Sequence, residues 1–430
     1  MSQTGEIFEG LLANLKVDNT AAIGERRDAI TKSLNNEFRG ILGSTDNKLM
    51  VGSYGRFTAI KGISDLDLLY VLPNSLRSDY EKTGGASRAL TRTRTAIRAR
   101  YPSTSIKVDR LVVVVEFSNF KFEVQPVFEN DDESFSYPDT YSDSWKITKP
   151  RAEIQAMSTD DILAGGNLRR LCKFARAWKN KHGVAMGGLL IDTLAYNFLA
   201  DNPDHRGTGS DSWGLMVRDF FEYLSDEDDH QHYAALGSRQ RVKVKKQFQS
   251  AATDAYDLCV TAIAAAGQKN AYKKWRAVFG NSVPVIDAVA VHSASAFVDT
   301  EQFIESFYPV DIRYDLTIDC TVTQDGFRPQ TLRAVLSMLK LLPVKKQLTF
   351  TITATDVPGP YTVKWKVLNR GPEAERLNSI RGQIINPSVG NQRREVTSFR
   401  GSHLVECYII HNGVVVARDS LDVPIAADTR

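Results

Sequence analysis

A Gly-Ser pair stands eleven residues ahead of an Asp-x-Asp that opens an apolar run: Gly52-Ser53, then Asp65-Leu66-Asp67-Leu68-Leu69. Side chains alternate along a strand, so Asp65 and Asp67 share one face while Leu66 and Leu68 point into a core. Two carboxylates held side by side repel each other unless a cation sits between them. Mg²⁺ suits that position, because it is a hard ion that takes a few carboxylate oxygens and completes its shell with water and phosphate.

A third carboxylate is offered by Phe122-Glu123-Val124-Gln125, where Glu123 faces away from its apolar neighbours on a second strand. Three carboxylates, two metals and a nucleoside triphosphate make an apparatus for nucleotidyl transfer. One metal lowers the pKa of an attacking hydroxyl and the other neutralises the departing pyrophosphate. Gly52 and Ser53 suit the triphosphate end, since glycine lets backbone approach closely and the serine hydroxyl donates a hydrogen bond. Alone, an Asp-x-Asp is commonly a solvated strand start and a Gly-Ser a turn; the combination at this spacing is far more specific.

The surrounding pattern divides the 430 residues into three parts. Helical spacing of Ile7, Leu11, Leu15, Ile23, Ile30 and Leu34 gives way to mixed α/β, with strands over 66–72, 111–117 and 121–128, a basic helix over 86–100 and a polar loop from 129 to 150. Residues 151–285 read as helix almost throughout. From about 300 the texture is mostly β, with alternating runs over 311–323, 348–355, 361–368, 404–411 and 414–423. The expected domains are thus 1–150, 151–285 and 300–430.

Composition narrows the setting. The 54 basic and 51 acidic side chains leave a formal charge of +3, so any basic work must be local rather than a general affinity for nucleic acid. No run approaches the 18 or so apolar residues of a membrane span, and no leader-like pattern opens the chain. Cys172, Cys259, Cys320 and Cys407 stand far apart without metal or disulfide spacing, which points to a reducing cytoplasm.

On Gly52-Ser53, Asp65-Leu66-Asp67 and Glu123, the chain resembles the DNA polymerase β-like nucleotidyltransferases. More closely it resembles the bacterial relatives of cyclic GMP–AMP synthase and oligoadenylate synthase, the oligonucleotide cyclases of anti-phage signalling. The segment Tyr137-Pro138-Asp139-Thr140 through Trp145 and Thr148-Lys149-Pro150 is similar to that group too. The resemblance implies a polymerase β-like core, a helical oligoadenylate-synthase-like domain and a carboxy-terminal β-sandwich-like sensor domain. The sensor likeness rests on Tyr361–Ala374, Leu377–Gln383 and Gly401–Tyr408.

The resemblance further implies that Asp65, Asp67 and Glu123 hold Mg²⁺ (Mn²⁺ substituting). Gly52 and Ser53 would bind the nucleotide, and Lys173, in Leu168–Trp178, would meet the triphosphate. Substrates would be nucleoside triphosphates, ATP among them, and the product would activate an effector protein. The segment Met186-Gly187-Gly188 through Asp192 departs from the family pattern, leaving glycine amides where side-chain phosphate contacts are usual. A terminal nucleotidyltransferase with a linear product, or a silent nucleotide sensor, are the competing expectations.

Other features have plainer explanations. In animal relatives a basic surface near Arg88–Arg100 meets nucleic-acid activators; on a near-neutral chain it reads first as a solvated helix face. The same holds for Arg239–Lys246. Asp226–His232 lacks metal-site spacing. Tyr137 suits stacking on a base or packing equally, and Arg381, His403 and Glu406 suit a sensed ligand or a buried polar network.

Overall fold

The computed structural model describes residues 1–285, 302–323, 328–339, 341–342, 346–369, 382–397 and 401–425. The chain forms two compact units, Met1–His292 and Ser293–Arg430.

The first unit begins with helices α1 (Gln3–Asn14) and α2 (Thr20–Arg39), strand β1 (Lys48–Met50), a single helical turn α3 (Gly52–Gly55) and strand β2 (Asp65–Val71). Then come α4 (Arg77–Tyr80), α5 (Gly85–Arg100), β3 (Ser105–Asp109), β4 (Val112–Glu116), β5 (Lys121–Glu129), β6 (Phe135–Asp139) and β7 (Ser144–Thr148). These strands make one sheet in the order β1-β2-β5-β4-β3, extended by β6 and β7 from β5. The β2–β5 pair is parallel, with Asp67 directly opposite Glu123. Alternation is strict where it matters: Leu66, Leu68, Phe122 and Val124 are wholly buried against α2 and α5, and the carboxylates take the other face.

The helical part comprises α6 (Pro150–Leu163), α7 (Asn167–His182), α8 (Gly188–Asp201), α9 (Trp213–Asp226), α10 (Gln249–Ala264) and α11 (Ala271–Phe279), with a small hairpin of β8 (His232–Ala234) and β9 (Arg241–Lys243). Its core holds Phe174, Trp178, Phe198, Phe220 and Trp275. The first helix joins this core rather than the sheet's. Phe8 sits edge-on to Phe174 at 5.2 Å and to Trp275 at 4.7 Å, and Ile7 and Leu11 are buried beside it. Burying such a ring stabilises by roughly 1.5–3 kcal/mol, so the chain's first helix helps to hold elements more than 150 residues away.

Two local expectations change, while the basic face of α5 is solvated as expected, with Arg88, Arg98 and Arg100 exposed. The stretch 129–150 is not a loop but the β6–β7 hairpin, where Trp145 donates to the Tyr80 carbonyl at 2.9 Å and packs on Phe128, and the Arg110 guanidinium grips Asp139. The basic stretch 239–246 contributes β9 rather than a helix face. On α5 the arginines are tethered to their own surroundings: Arg88 to the Asp79 and Thr83 carbonyls, Arg92 to Glu37, Arg98 to the Ile106 carbonyl.

The second unit contains β10 (Leu316–Thr323), β11 (Gln330–Thr331), α12 (Leu332–Leu339), β12 (Gln347–Thr355), β13 (Thr362–Asn369), β14 (Ile384–Ile385), β15 (Arg393–Val396), β16 (Gly401–His411) and β17 (Val414–Ile425). They form two antiparallel four-stranded sheets, β11-β10-β12-β15 and β14-β13-β16-β17. Phe350 of one sheet and Trp365 of the other bring their rings to 6.2 Å, both fully buried, and the Ile318 amide donates to Asp419 at 2.8 Å. Trp365 is therefore a core residue. His403 lies 2.8 Å from Asn369, and Glu406 pairs with the buried Lys366 at 3.3 Å. Arg381 lies outside the described residues. All four cysteines are buried and free.

Candidate active site

A cavity of about 740 Å³ lies in the first unit between the carboxylate face of the sheet and helices α7 and α8. Gly52, Ser53, Asp65, Asp67 and Glu123, all expected from the sequence, line it together. Gly52 has φ +63°, and a Cβ there would fall 1.9 Å from Asp67 Oδ2. The Val51 amide donates to the Asp67 carbonyl at 2.9 Å, drawing the Gly-Ser turn against the strand. Glycine at 52 is thus required by the neighbouring carboxylate as well as by the backbone. The Ser53 carbonyl accepts from the Thr58 and Ala59 amides at 2.9 and 3.0 Å, which pins the turn at the cavity wall.

The acidic cluster is electrically strained. Burial pushes the Asp67 carboxyl up to about 6, and the like charges of Glu123 and Asp65 add to the rise against the opposing pull of Arg56 and Lys121. Lys121 Nζ lies 2.8 Å from Glu123 Oε1 and 3.4 Å from Asp65 Oδ1. As the side chains lie, no three His, Cys, Asp or Glu groups are gathered closely enough to hold a metal among the described residues. The donor set is nonetheless oxygen only and short of positive charge, which fits a hard divalent cation.

The opposite wall is basic and rests on a buried network. Asp192 of α8 accepts from Arg56 Nε at 2.8 Å, Arg176 Nη1 at 2.6 Å and the Thr58 hydroxyl at 3.1 Å. Arg56 also donates to Glu153 at 3.1 Å. Burial alone would raise the Asp192 carboxyl, but the Arg176 and Arg56 guanidiniums outweigh it and hold it at about 2. Gly188 serves this network through its carbonyl, which accepts from Arg176 Nη2 at 3.0 Å.

Lys173 is not brought to the cavity. Its ammonium lies 5.0 Å from the Phe57 ring centre, and burial, with Arg169 nearby, lowers it to about 8. The reason is axial: Asn180, seven residues on, shares its helix face but stands ~10 Å further along at 1.5 Å per residue. Arg176, Lys179 and Asn180 are the α7 residues that line the cavity. Sequence reasoning missed Lys179, Lys121 and the Arg56–Asp192–Arg176 bridge. For Lys121 a signal existed, since it stands two residues before Glu123 on the same strand face. Tyr137 does not line the cavity.

A parallel strand pair presents three carboxylates beside a glycine-dependent turn, faced by a helical wall that carries Lys179, an arrangement that suits nucleotidyl transfer. Residues 1–160 match the family described as the Second Messenger Oligonucleotide or Dinucleotide Synthetase domain, and residues 298–426 match the Adenylyl/Guanylyl and SMODS C-terminal sensor domain. The two domain matches together support a bacterial nucleotidyltransferase of the cyclic GMP–AMP synthase-like, second-messenger synthetase type.

Solved structures share the fold. The CdnC protein of E. coli MS115-1 with ATP is 17% identical, with TM-score 0.50, covering 66% of this chain and 99% of its own. The DncV cyclic AMP-GMP synthase of Vibrio cholerae is 14% identical, with TM-score 0.51, covering 65% and 96%. No curated protein matches significantly by sequence. Among the described residues no helix is long and apolar enough to cross a membrane.

Proposed function

We propose that the chain condenses nucleoside triphosphates, ATP among them, into a cyclic di- or oligonucleotide in an Mg²⁺-dependent reaction, and that the product activates an effector protein in cytoplasmic anti-phage defence. The observation that carries the site assignment is the parallel register of Asp67 with Glu123 at the cavity, with Gly52 against Asp67.

Asp65, Asp67 and Glu123 would hold Mg²⁺, or Mn²⁺ in its place. Bound there, the metal supplies charge neutralisation of the triphosphate and a lowered pKa for the attacking ribose hydroxyl. Glu123 is the carboxylate assigned to that hydroxyl and its proton. Gly52 and Ser53 orient the triphosphate through backbone approach and a hydroxyl donor. Lys179, with Arg176 behind it, takes the neutralising role that the family resemblance assigned to Lys173. The helical wall, tied to the Gly-Ser turn through Arg56 and Asp192, keeps both halves of the site in register. The carboxy-terminal sheets are assigned a sensing role that gates the reaction, on the strength of the sensor-domain match.

The test is incubation of the protein with the four ribonucleoside triphosphates and Mg²⁺, followed by phosphatase treatment and mass spectrometry. A phosphatase-resistant product lacking free ends is expected, absent from the Asp65→Ala/Asp67→Ala double variant. A product with free ends would mark a linear-chain transferase. Absence of pyrophosphate release with either Mg²⁺ or Mn²⁺ would mark a nucleotide sensor.

A further inference from the structure

One ammonium is shared by two of the three carboxylates. Lys121 opens β5 directly opposite Asp65 in the parallel register, and its backbone amide donates to the Ser64 carbonyl at 2.8 Å, which fixes the strand start beside Asp65. Strand alternation puts its side chain on the face of Glu123. The resulting contacts, 2.8 Å to Glu123 Oε1 and 3.4 Å to Asp65 Oδ1, draw on the oxygens a divalent ion would use. Asp67, the most enclosed of the three, has no ion-pair partner among the described residues. Three carboxylates against one ammonium leave two negative charges beside the cavity, and one bound divalent ion would cancel them only if the two cations could coexist at hydrogen-bond distance from the same oxygens. Like charges at that separation repel strongly in a partly enclosed site.

We infer that Lys121 is a positioning residue that acts as a built-in competitor of the metal. It holds Glu123 toward Asp65 in the absence of a divalent ion and yields its oxygens when one arrives, so it sets the ion concentration at which the site fills. This rests on the assignment of the three carboxylates as the metal site. A purely structural lysine would, on removal, weaken metal binding by loosening the carboxylates. A competitor, on removal, tightens it.

The test is a titration of the full-length protein with Mn²⁺ without nucleotide, following the spectrum of free Mn²⁺ by electron paramagnetic resonance. Lys121→Met, which keeps length and loses charge, is expected to bind Mn²⁺ about tenfold more tightly than the unaltered chain, ~1.4 kcal/mol. Lys121→Arg, which keeps the charge, should stay near the unaltered value. So should Lys107→Met, a change at an exposed lysine paired with Glu116 on the neighbouring strands. Circular dichroism confirms folding, and Lys121→Gln carries the same measurement if the Met variant does not fold. Equal or weaker binding by both charge-removing variants, or equally tight binding by the Arg variant, overturns the inference and leaves the metal assignment standing. Failure of the unaltered chain to bind Mn²⁺ at millimolar concentration overturns both.

Discussion

Arg56 Nε donates to Asp192 Oδ2 at 2.8 Å across 136 residues of chain, and both side chains are buried. This contact fastens the turn that follows Gly52-Ser53 to helix α8, while Arg176 approaches the same carboxylate from α7 at 2.6 Å. Removing the shared carboxylate leaves Arg176 buried without an acidic partner and Arg56 with Glu153 alone.

Asp192→Ala is therefore expected to destabilise the first unit by about 3–5 kcal/mol, since it breaks a buried pair by removing one partner. Chemical denaturation at pH 7 measures it. The pH dependence has a definite sign. A carboxyl held at about 2 when folded, below its ordinary value of 3.8, contributes stability that is full above pH 4 and falls away as the pH drops toward 2. An Asp192→Ala deficit that stays constant down to pH 2 would contradict the network.

Gly52→Ala places a methyl 1.9 Å from Asp67 Oδ2 at a φ of +63°. The backbone term alone costs about 1–2 kcal/mol, which a folded domain tolerates. Displacement of the carboxylate is the larger functional effect, because misplacement by an ångström at a reacting centre costs on the order of a hundredfold. Initial rates of pyrophosphate release should fall by about that factor with the melting curve only slightly shifted. Retention of full rate would show that Asp67 need not hold its position.

Asp67→Asn should abolish turnover and, without metal, stabilise the protein. The carboxyl's folded value of about 6 lies above 3.8, so the folded state binds the proton more tightly than the unfolded one. Stability consequently declines as the pH rises from about 4 to 6 and stays low above it. At pH 7.5 in chelator the Asn variant should be more stable by ~1–3 kcal/mol, a gain that shrinks below pH 5. A variant less stable than the unaltered chain at pH 7.5 would contradict the strained-carboxylate account.

Lys179→Met should raise the KM for triphosphate by roughly tenfold, the scale of one charge-assisted contact, with a smaller effect on kcat. Lys173→Met should leave KM within about twofold, because its ammonium lies over Phe57 and outside the cavity lining. Steady-state kinetics on the two variants separate them, and the reverse ranking would return the triphosphate to Lys173.

The acidic face follows from the order of residues alone. Strand alternation is a local rule of period two, so Asp65, Asp67 and Glu123 had to project from the side opposite Leu66, Leu68, Phe122 and Val124 wherever these strands lay. Their pairing in parallel register, the 740 Å³ space before them and the identity of its cations arise from the packing of distant segments. Lys173 and Lys179 are equivalent in composition and lie on one helix; what separates them is which turn of α7 passes the sheet. The Arg56–Asp192 contact, Phe8 among the aromatic residues of the helical core, and the β6–β7 hairpin read as a loop have the same origin. Each depends on contacts between distant segments or on cross-strand pairing, for which a run of residues carries no period. Lys121 falls between the two cases: alternation places it beside Glu123, but only the pairing with β2 gives its ammonium a second carboxylate to hold.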